Sequence, residues 1–369
     1  MNWLNDGMVD HLREVSTLPD LSQTPYRILR PLGSGGMATV YLAEDAKLSR
    51  PVALKVMEVS TSSGEMTSRM QTEAQIIARL EHPGIVPIHD VGTLPDGRVF
   101  YVMKYVQGNN LTKYSQQAGS VAERLRVFLK VCEAVAFAHA HGVIHRDLKP
   151  ANIMVGAFGE VLVMDWGVAK VLPMGDEGTQ ISVDPDIQVK EGKATTDETR
   201  LQPPSEIPPG PFLETLSGTV LGTPSYMSPE QALGQTGAHN QLTDVYSLGA
   251  ILFFLLTHHH PHEGATMGQI RERFLHKQLL RPRDVNPAIP RPLEAVCMKS
   301  LAIDPQDRYA KVEDLKADIE LYLSDMPVSA YIENVFEKAG RWSNRYRFVI
   351  LLLFAYMFVR FLLFFLLRR

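Results

Sequence analysis

Strand-like patterning comes early in the chain. Two such runs, 26–32 and 40–44, flank a glycine-rich turn, and the alternation of apolar and polar residues over 52–56 predicts a third strand with one buried face. Apolar residues then recur at helical spacing over 70–80, 127–140, 245–256 and 293–301. A different pattern closes the chain: 348–367 is apolar except for Arg360. At about 1.5 Å per residue such a run measures about 30 Å, the thickness of a hydrocarbon core.

Candidate chemistry sits between these elements. His145-Arg146-Asp147-Leu148-Lys149-Pro150-Ala151-Asn152, followed by Asp165-Trp166-Gly167, sets a base, a cation and two metal ligands in one order. Phosphoryl transfer leaves a protein mostly positioning and charge stabilisation to perform, so a carboxylate must orient the acceptor hydroxyl. Asp147 suits that role, with Lys149 reaching the γ-phosphate and Asn152 and Asp165 holding divalent metal. Taken singly, each is an ordinary loop residue. Their order is what carries the reading.

Upstream, Leu32-Gly33-Ser34-Gly35-Gly36-Met37-Ala38-Thr39-Val40 reads as a hairpin turn over nucleotide phosphates. Val52-Ala53-Leu54-Lys55-Val56 follows as a strand presenting Lys55 to the α- and β-phosphates, and Glu73 is the natural ion-pair partner of Lys55.

Together with Gly222-Thr223-Pro224-Ser225-Tyr226-Met227-Ser228-Pro229-Glu230, these residues resemble the eukaryotic-type (Hanks-type) Ser/Thr protein kinase family, most of all its bacterial membrane-anchored branch. The resemblance covers about 26–323. It implies an α+β, two-lobed protein kinase fold: a small lobe with an antiparallel sheet and one main helix to about 105, then a mainly helical large lobe. ATP would lie between the lobes with Mg2+, or Mn2+ as the alternative metal. The partners implied are proteins with Ser or Thr acceptors, a second copy of the chain among them. Lys149 and Thr223 mark Ser/Thr specificity in that family. Val40, Ala53 and Met154 would pack on the adenine, Met103 would stand behind it, and the backbone of Lys104, Tyr105 and Val106 would read its edge. Asp244 resembles the helix-capping Asp that braces the catalytic loop, and Arg308 resembles the partner of Glu230. Three residues depart from the pattern: Ala38 for the third Gly, Trp166 for Phe, and Ser228 for Ala. The competing class is a catalytically silent kinase-like scaffold at the membrane; the presence of Lys55, Asp147 and Asp165 argues against it.

Composition narrows the partners. The chain has 369 residues and a formal net charge of −4, with no basic face interleaved with aromatics, so nucleic acid is not implied. Length suits a two-lobed unit with short extensions. Residues 1–25 form a mixed, polar N-terminal extension without a charged-then-apolar leader. Cys132 and Cys297 lie in helical apolar stripes and read as core. His258, His259, His260 and His262 follow the 245–256 helix and read as a solvated loop, a metal site being the weaker alternative.

Asp165 and Glu230 stand 65 positions apart, longer than the family pattern, and the excess falls at about 172–213. Its prolines and acidic residues predict a loosely held insert. Just beyond it, Thr215, Ser217 and Thr219 are candidate phosphosites, with Arg146 as the cation a phosphate would order against.

The 348–367 run predicts one transmembrane helix after a 324–347 juxtamembrane segment. Lys338, Arg341, Arg345 and Arg347 precede it and only Arg368 and Arg369 follow, so the positive-inside bias predicts a cytoplasmic kinase on a single-pass C-terminal anchor in the cell membrane. Arg360 costs about 2.5–3.5 kcal/mol near the bilayer centre, less where it snorkels toward an end. Trp342 and Tyr346 suit the interface.

Overall fold

The computed structural model describes residues 18–35, 38–57, 74–75, 77–166, 170–171, 224–262, 266–335, 337–339 and 346–367. Glu73, Gly36, Thr223, the 172–213 insert, the candidate phosphosites and residues 1–17 of the N-terminal extension lie outside them.

Strands β1 (Tyr26–Ser34), β2 (Ala38–Asp45) and β3 (Arg50–Met57) form where the sequence predicts them. β4 (Ile88–Thr93) and β5 (Val99–Lys104) complete an antiparallel five-stranded sheet in the order β1-β2-β3-β5-β4. Along β2 every second residue is buried, as the period of two requires of a sheet with one covered face. Two apolar clusters cover the sheet. One joins Tyr26, Tyr41, Val52, Leu54, Phe100 and Val102; the other joins Ala53, Ala74, Val86, Val99, Tyr101 and Met103. Lys55 is opposite Tyr101 in the register and shares the second face.

Three short hairpin strands, β6 (Gly108–Asn110), β8 (Ile153–Gly156) and β9 (Val161–Val163), lead into the large lobe, where β7 (Val143–Ile144) pairs with β10 (Lys170–Val171). The lobes meet where Val163 N–H donates to Gly84 O (2.8 Å) and Val86 N–H donates to Val163 O (3.2 Å). The helices are α1 (Leu111–Gln117), α2 (Val121–Ala140), α3 (Pro229–Ala232), α4 (Gln241–Thr257), α5 (Met267–Leu275), α6 (Pro282–Val285), α7 (Arg291–Ser300) and α8 (Val312–Leu323). α4 is buried throughout from Thr243 to Thr257, which makes it the axis of the lobe. Gly249 lets α7 approach it: a Cβ there would stand 2.6 Å from Ser300 Cβ. Cys132 and Cys297 are both buried in this core, and burial pushes both thiols up.

His258 and His259 are exposed, as the prediction of a solvated turn requires, but His260 and His262 correct that prediction. His258 ends α4 in the left-handed conformation (φ 61°), which reverses the chain and folds the next residues back over the helix. His260 stacks on Phe254 with ring centroids 5.4 Å apart, and His262 is buried.

After α8 the chain forms a strap over the large lobe. Asp318, 2% exposed, accepts from the Tyr309 hydroxyl (2.6 Å), Ser329 N–H (2.6 Å), the Ser329 hydroxyl (2.9 Å) and Ala330 N–H (3.1 Å). Val328 enters the core, and the Tyr331 hydroxyl donates to Glu337, which faces Arg291 at 3.6 Å. A last helix, α9, spans Arg347–Leu367, and its side chains are mostly exposed from Phe348 to Phe361. Among the described residues no helix is long and apolar enough to cross a membrane.

Candidate active site

The loop after β7 is built on one buried carboxylate. Asp244, in the first turn of α4, accepts from His145 N–H and Arg146 N–H, each at 2.8 Å, and from His139 Nε2 at 2.8 Å. Burial alone would raise its pKa, but the hydrogen bond and charge of His139 outweigh that and hold the carboxyl below its usual range. Two backbone donors fixed on one anion force the turn, and Arg146 sits at φ 67°. Gln231 of α3 donates to the Arg146 carbonyl at 2.7 Å.

His145 connects this loop to the second cluster. Its Nδ1 accepts the Asp147 N–H (3.2 Å), which leaves Nε2–H to donate to the Met164 carbonyl (3.0 Å). Its ring lies 4.5 Å from that of Trp166, whose indole N–H donates to Val163 O at 3.4 Å. Trp166 is 1% exposed and belongs to the large-lobe core. The larger ring at this position is thus anchored inward, directly behind Asp165.

Five sequence-predicted residues converge in front of that core. Lys149 Nζ donates to Asp147 Oδ2 at 2.7 Å, and the Asn152 amide donates to the same oxygen at 3.1 Å and to the Asp147 carbonyl at 2.9 Å. Lys55 Nζ donates to Asp165 Oδ1 at 2.7 Å and lies 5.4 Å from the centre of the Tyr101 ring. Asp165, at φ 62°, keeps its side chain 45% exposed. Burial works to raise its pKa, and the Lys55 ammonium more than reverses this, so it is an anion at neutral pH.

Asn152 and Asp165 suit a hard divalent cation. Asn152 gives its amide hydrogens to Asp147 and so keeps Oδ1 for a ligand, while Asp165 has a second carboxylate oxygen beyond the one on Lys55. A magnesium ion that shares the nucleotide's phosphates needs only one or two such protein ligands.

The predicted nucleotide wall is brought together in part. Val40, Ala53, Met103 and Tyr105 belong to the apolar cluster on the Lys55 face of the sheet. Met154 is half-buried on β8, opposite Leu162 and outside that cluster. Lys104 N–H is taken by the Pro87 carbonyl at 3.1 Å, so a base edge would meet Lys104 through its carbonyl, with the backbone of Tyr105 and Val106 following it. Leu32, Gly33 and Ser34 end β1, and Gly35 N–H donates to Ala38 O at 2.9 Å, closing the hairpin. A Cβ added at Gly33 would meet nothing within 4 Å, so the turn faces open space. Sequence reasoning missed His139 and Tyr101; both lie in ordinary apolar patterns, and only packing reveals their partners.

A sheet-bearing small lobe, a helical large lobe and this constellation define a protein kinase domain. Residues 26–188 match the family model for the protein kinase domain. The chain is 35% identical over 315 residues to serine/threonine-protein kinase PknD of Protochlamydia amoebophila, covering 81% of this chain and 30% of the relative. It is 37% identical over 318 residues to PknD of Chlamydia felis (82% and 31%) and 36% identical over 319 residues to PknD of Chlamydia pneumoniae (82% and 31%). The chain spans under a third of the length of these relatives. It belongs, through this domain, to the Hanks-type bacterial serine/threonine protein kinases.

Proposed function

We propose that the chain transfers the γ-phosphoryl group of ATP to Ser or Thr hydroxyls of proteins, its own among them. What carries the reading is the Asp147–Lys149–Asn152 cluster beside the Lys55–Asp165 pair. Asp147 accepts a hydrogen bond from the acceptor hydroxyl and aims its oxygen at the γ-phosphorus. As the new P–O bond forms, the bond to the β–γ bridging oxygen breaks, ADP leaves and the hydroxyl proton passes to Asp147. Lys149 offsets negative charge beside the base, and Lys55 does so on the α- and β-phosphates. A magnesium ion held by Asn152 and Asp165 would supply further charge neutralisation. Glu73, Thr223 and the phosphosites Thr215, Ser217 and Thr219 belong to this proposal on sequence grounds.

The proposal includes a membrane anchor at 348–367, supported by a run that is apolar except for Arg360, the helical backbone of α9 and the flanking arginines. The test is transfer of labelled γ-phosphate from ATP with magnesium, by the detergent-purified full chain, to a generic basic protein. Label in the parent and none in Asp147→Asn supports the reading. Equal labelling by both overturns the role of Asp147; binding of ATP without transfer points to a silent scaffold. For the anchor, alkaline extraction should leave the full chain in the membrane pellet, and its release would refute a span.

A further inference from the structure

The histidines after α4 each turn to a different element. His258 meets Arg124 of α2, and His262 faces the Tyr246 hydroxyl at 3.1 Å and the Phe274 ring edge-on. Among the described residues no three His, Cys, Asp or Glu side chains are grouped as a metal site. His260 turns to the segment ahead of α3: the Tyr226 hydroxyl lies 2.6 Å from its Nδ1, and the two rings meet edge to face at 5.3 Å. The imidazole also stacks on Phe254, nearly parallel at 11°. Tyr226 is buried, and burial pushes its phenol up, so the hydroxyl keeps its proton and donates. Ser247 holds the same residue by its backbone, donating to the Tyr226 carbonyl at 3.0 Å. Gln231 then ties the far end of this segment to Arg146, the residue before Asp147.

We propose that His260 is a positioning residue for the protein acceptor: by holding Tyr226 it fixes segment 224–228 relative to Asp147. The inference rests on the kinase reading above and adds to it a residue that touches neither nucleotide nor acceptor. Without the imidazole, a buried phenol hydroxyl has lost its acceptor, and the cost is relieved only if Tyr226 moves. The Ser247 and Gln231 bonds remain, so the lobe keeps its fold. The side-chain bonds described for Lys55, Asp165 and Asn152 join Lys55 to Asp165 and Asn152 to Asp147.

The test uses the full chain and a generic basic protein as acceptor. His260→Ala should raise the acceptor KM about five- to tenfold, the worth of one buried hydrogen bond, with the KM for ATP held within about twofold. His260→Asn, whose Oδ1 stands near the lost Nδ1, should recover most of the loss. Tyr226→Phe should match His260→Ala, and the double variant should be no worse than either. Amide exchange over 224–228, read by mass spectrometry, should quicken in His260→Ala; this readout needs no catalysis. Unchanged exchange, an equal rise in both KM values, or additive single-variant effects would overturn the proposal. If the parent transfers no phosphate, the kinase reading fails on that ground, and amide exchange alone decides whether His260 holds the segment.

Discussion

Replacing Arg308 with alanine removes every bond its guanidinium makes. In the parent it grips Glu230 with two parallel bonds (3.0 and 2.9 Å) and also donates to the carbonyls of Leu242 (2.7 Å), Ala302 (2.8 Å) and Ile303 (3.2 Å). Both partners are buried, at 0% and 4% side-chain exposure. The variant leaves the Glu230 carboxylate in the core without a cation, held by its own backbone N–H and by the Thr243 hydroxyl at 2.9 Å. Breaking such a pair costs about 3–5 kcal/mol, and at about 2–4 °C per kcal/mol the Tm of the chain should fall by roughly 6–20 °C. The dependence on pH provides a second check. In the parent, burial works to raise the pKa of Glu230 and the Arg308 hydrogen bonds more than reverse it, so the pKa is lowered. Such a group contributes stability above its unfolded pKa of about 4.3, and the contribution is lost as pH falls through the lower folded value. In the variant the sign inverts: a buried, unpaired carboxylate has a raised pKa, and taking up a proton relieves its penalty. Differential scanning fluorimetry from about pH 7 toward pH 5 should therefore show the gap between parent and variant narrowing. A gap below about 2 °C, or one that does not change with pH, would refute the reasoning.

Other perturbations address the loop and the core. The His145 and Arg146 backbone donors bind different oxygens of Asp244, so Asp244→Asn turns an amide N–H2 on one of the two and kcat should fall at least about a hundredfold as Asp147 shifts; a phosphate-transfer assay showing less than a tenfold loss would contradict the bracing role. Gly249→Ala drives a methyl group into Ser300, costing about 1–3 kcal/mol. Thermal melts should show that loss, and Ser300→Gly in the same chain should return most of it.

Much of the site was legible because phosphoryl transfer fixes residue types and spacing. Asp147, Lys149 and Asn152 lie within one loop, and local geometry alone brings them together. Strand ends were less legible: pairing rather than alternation sets them, so β1 runs on to Ser34 and β2 begins at Ala38, where Ser34 faces Thr39. β5 gave no alternating signal because all but its last residue are buried. The second half of the histidine loop was misread for a related reason. Helical periodicity marks where α4 ends, but the direction of the chain afterwards depends on the left-handed His258 and on which rings lie over it. The same limit hid Asp318 and the strap, since a lone helix Asp looks solvated until the backbone amides that reach it are known.

That strap sets a tether length. The chain is pinned on the large lobe as far as Glu337, and α9 begins at Arg347. From Glu337 to Arg347 a fully stretched backbone reaches about 33–36 Å, less than the diameter of the domain itself. Whatever surface holds α9 therefore holds the catalytic unit almost in contact with it. Acceptors that diffuse in that surface, or neighbouring copies anchored beside it, would meet the cleft far more often than free proteins would. Under the proposed anchor, selection by proximity would act before any sequence preference of the cleft came into play.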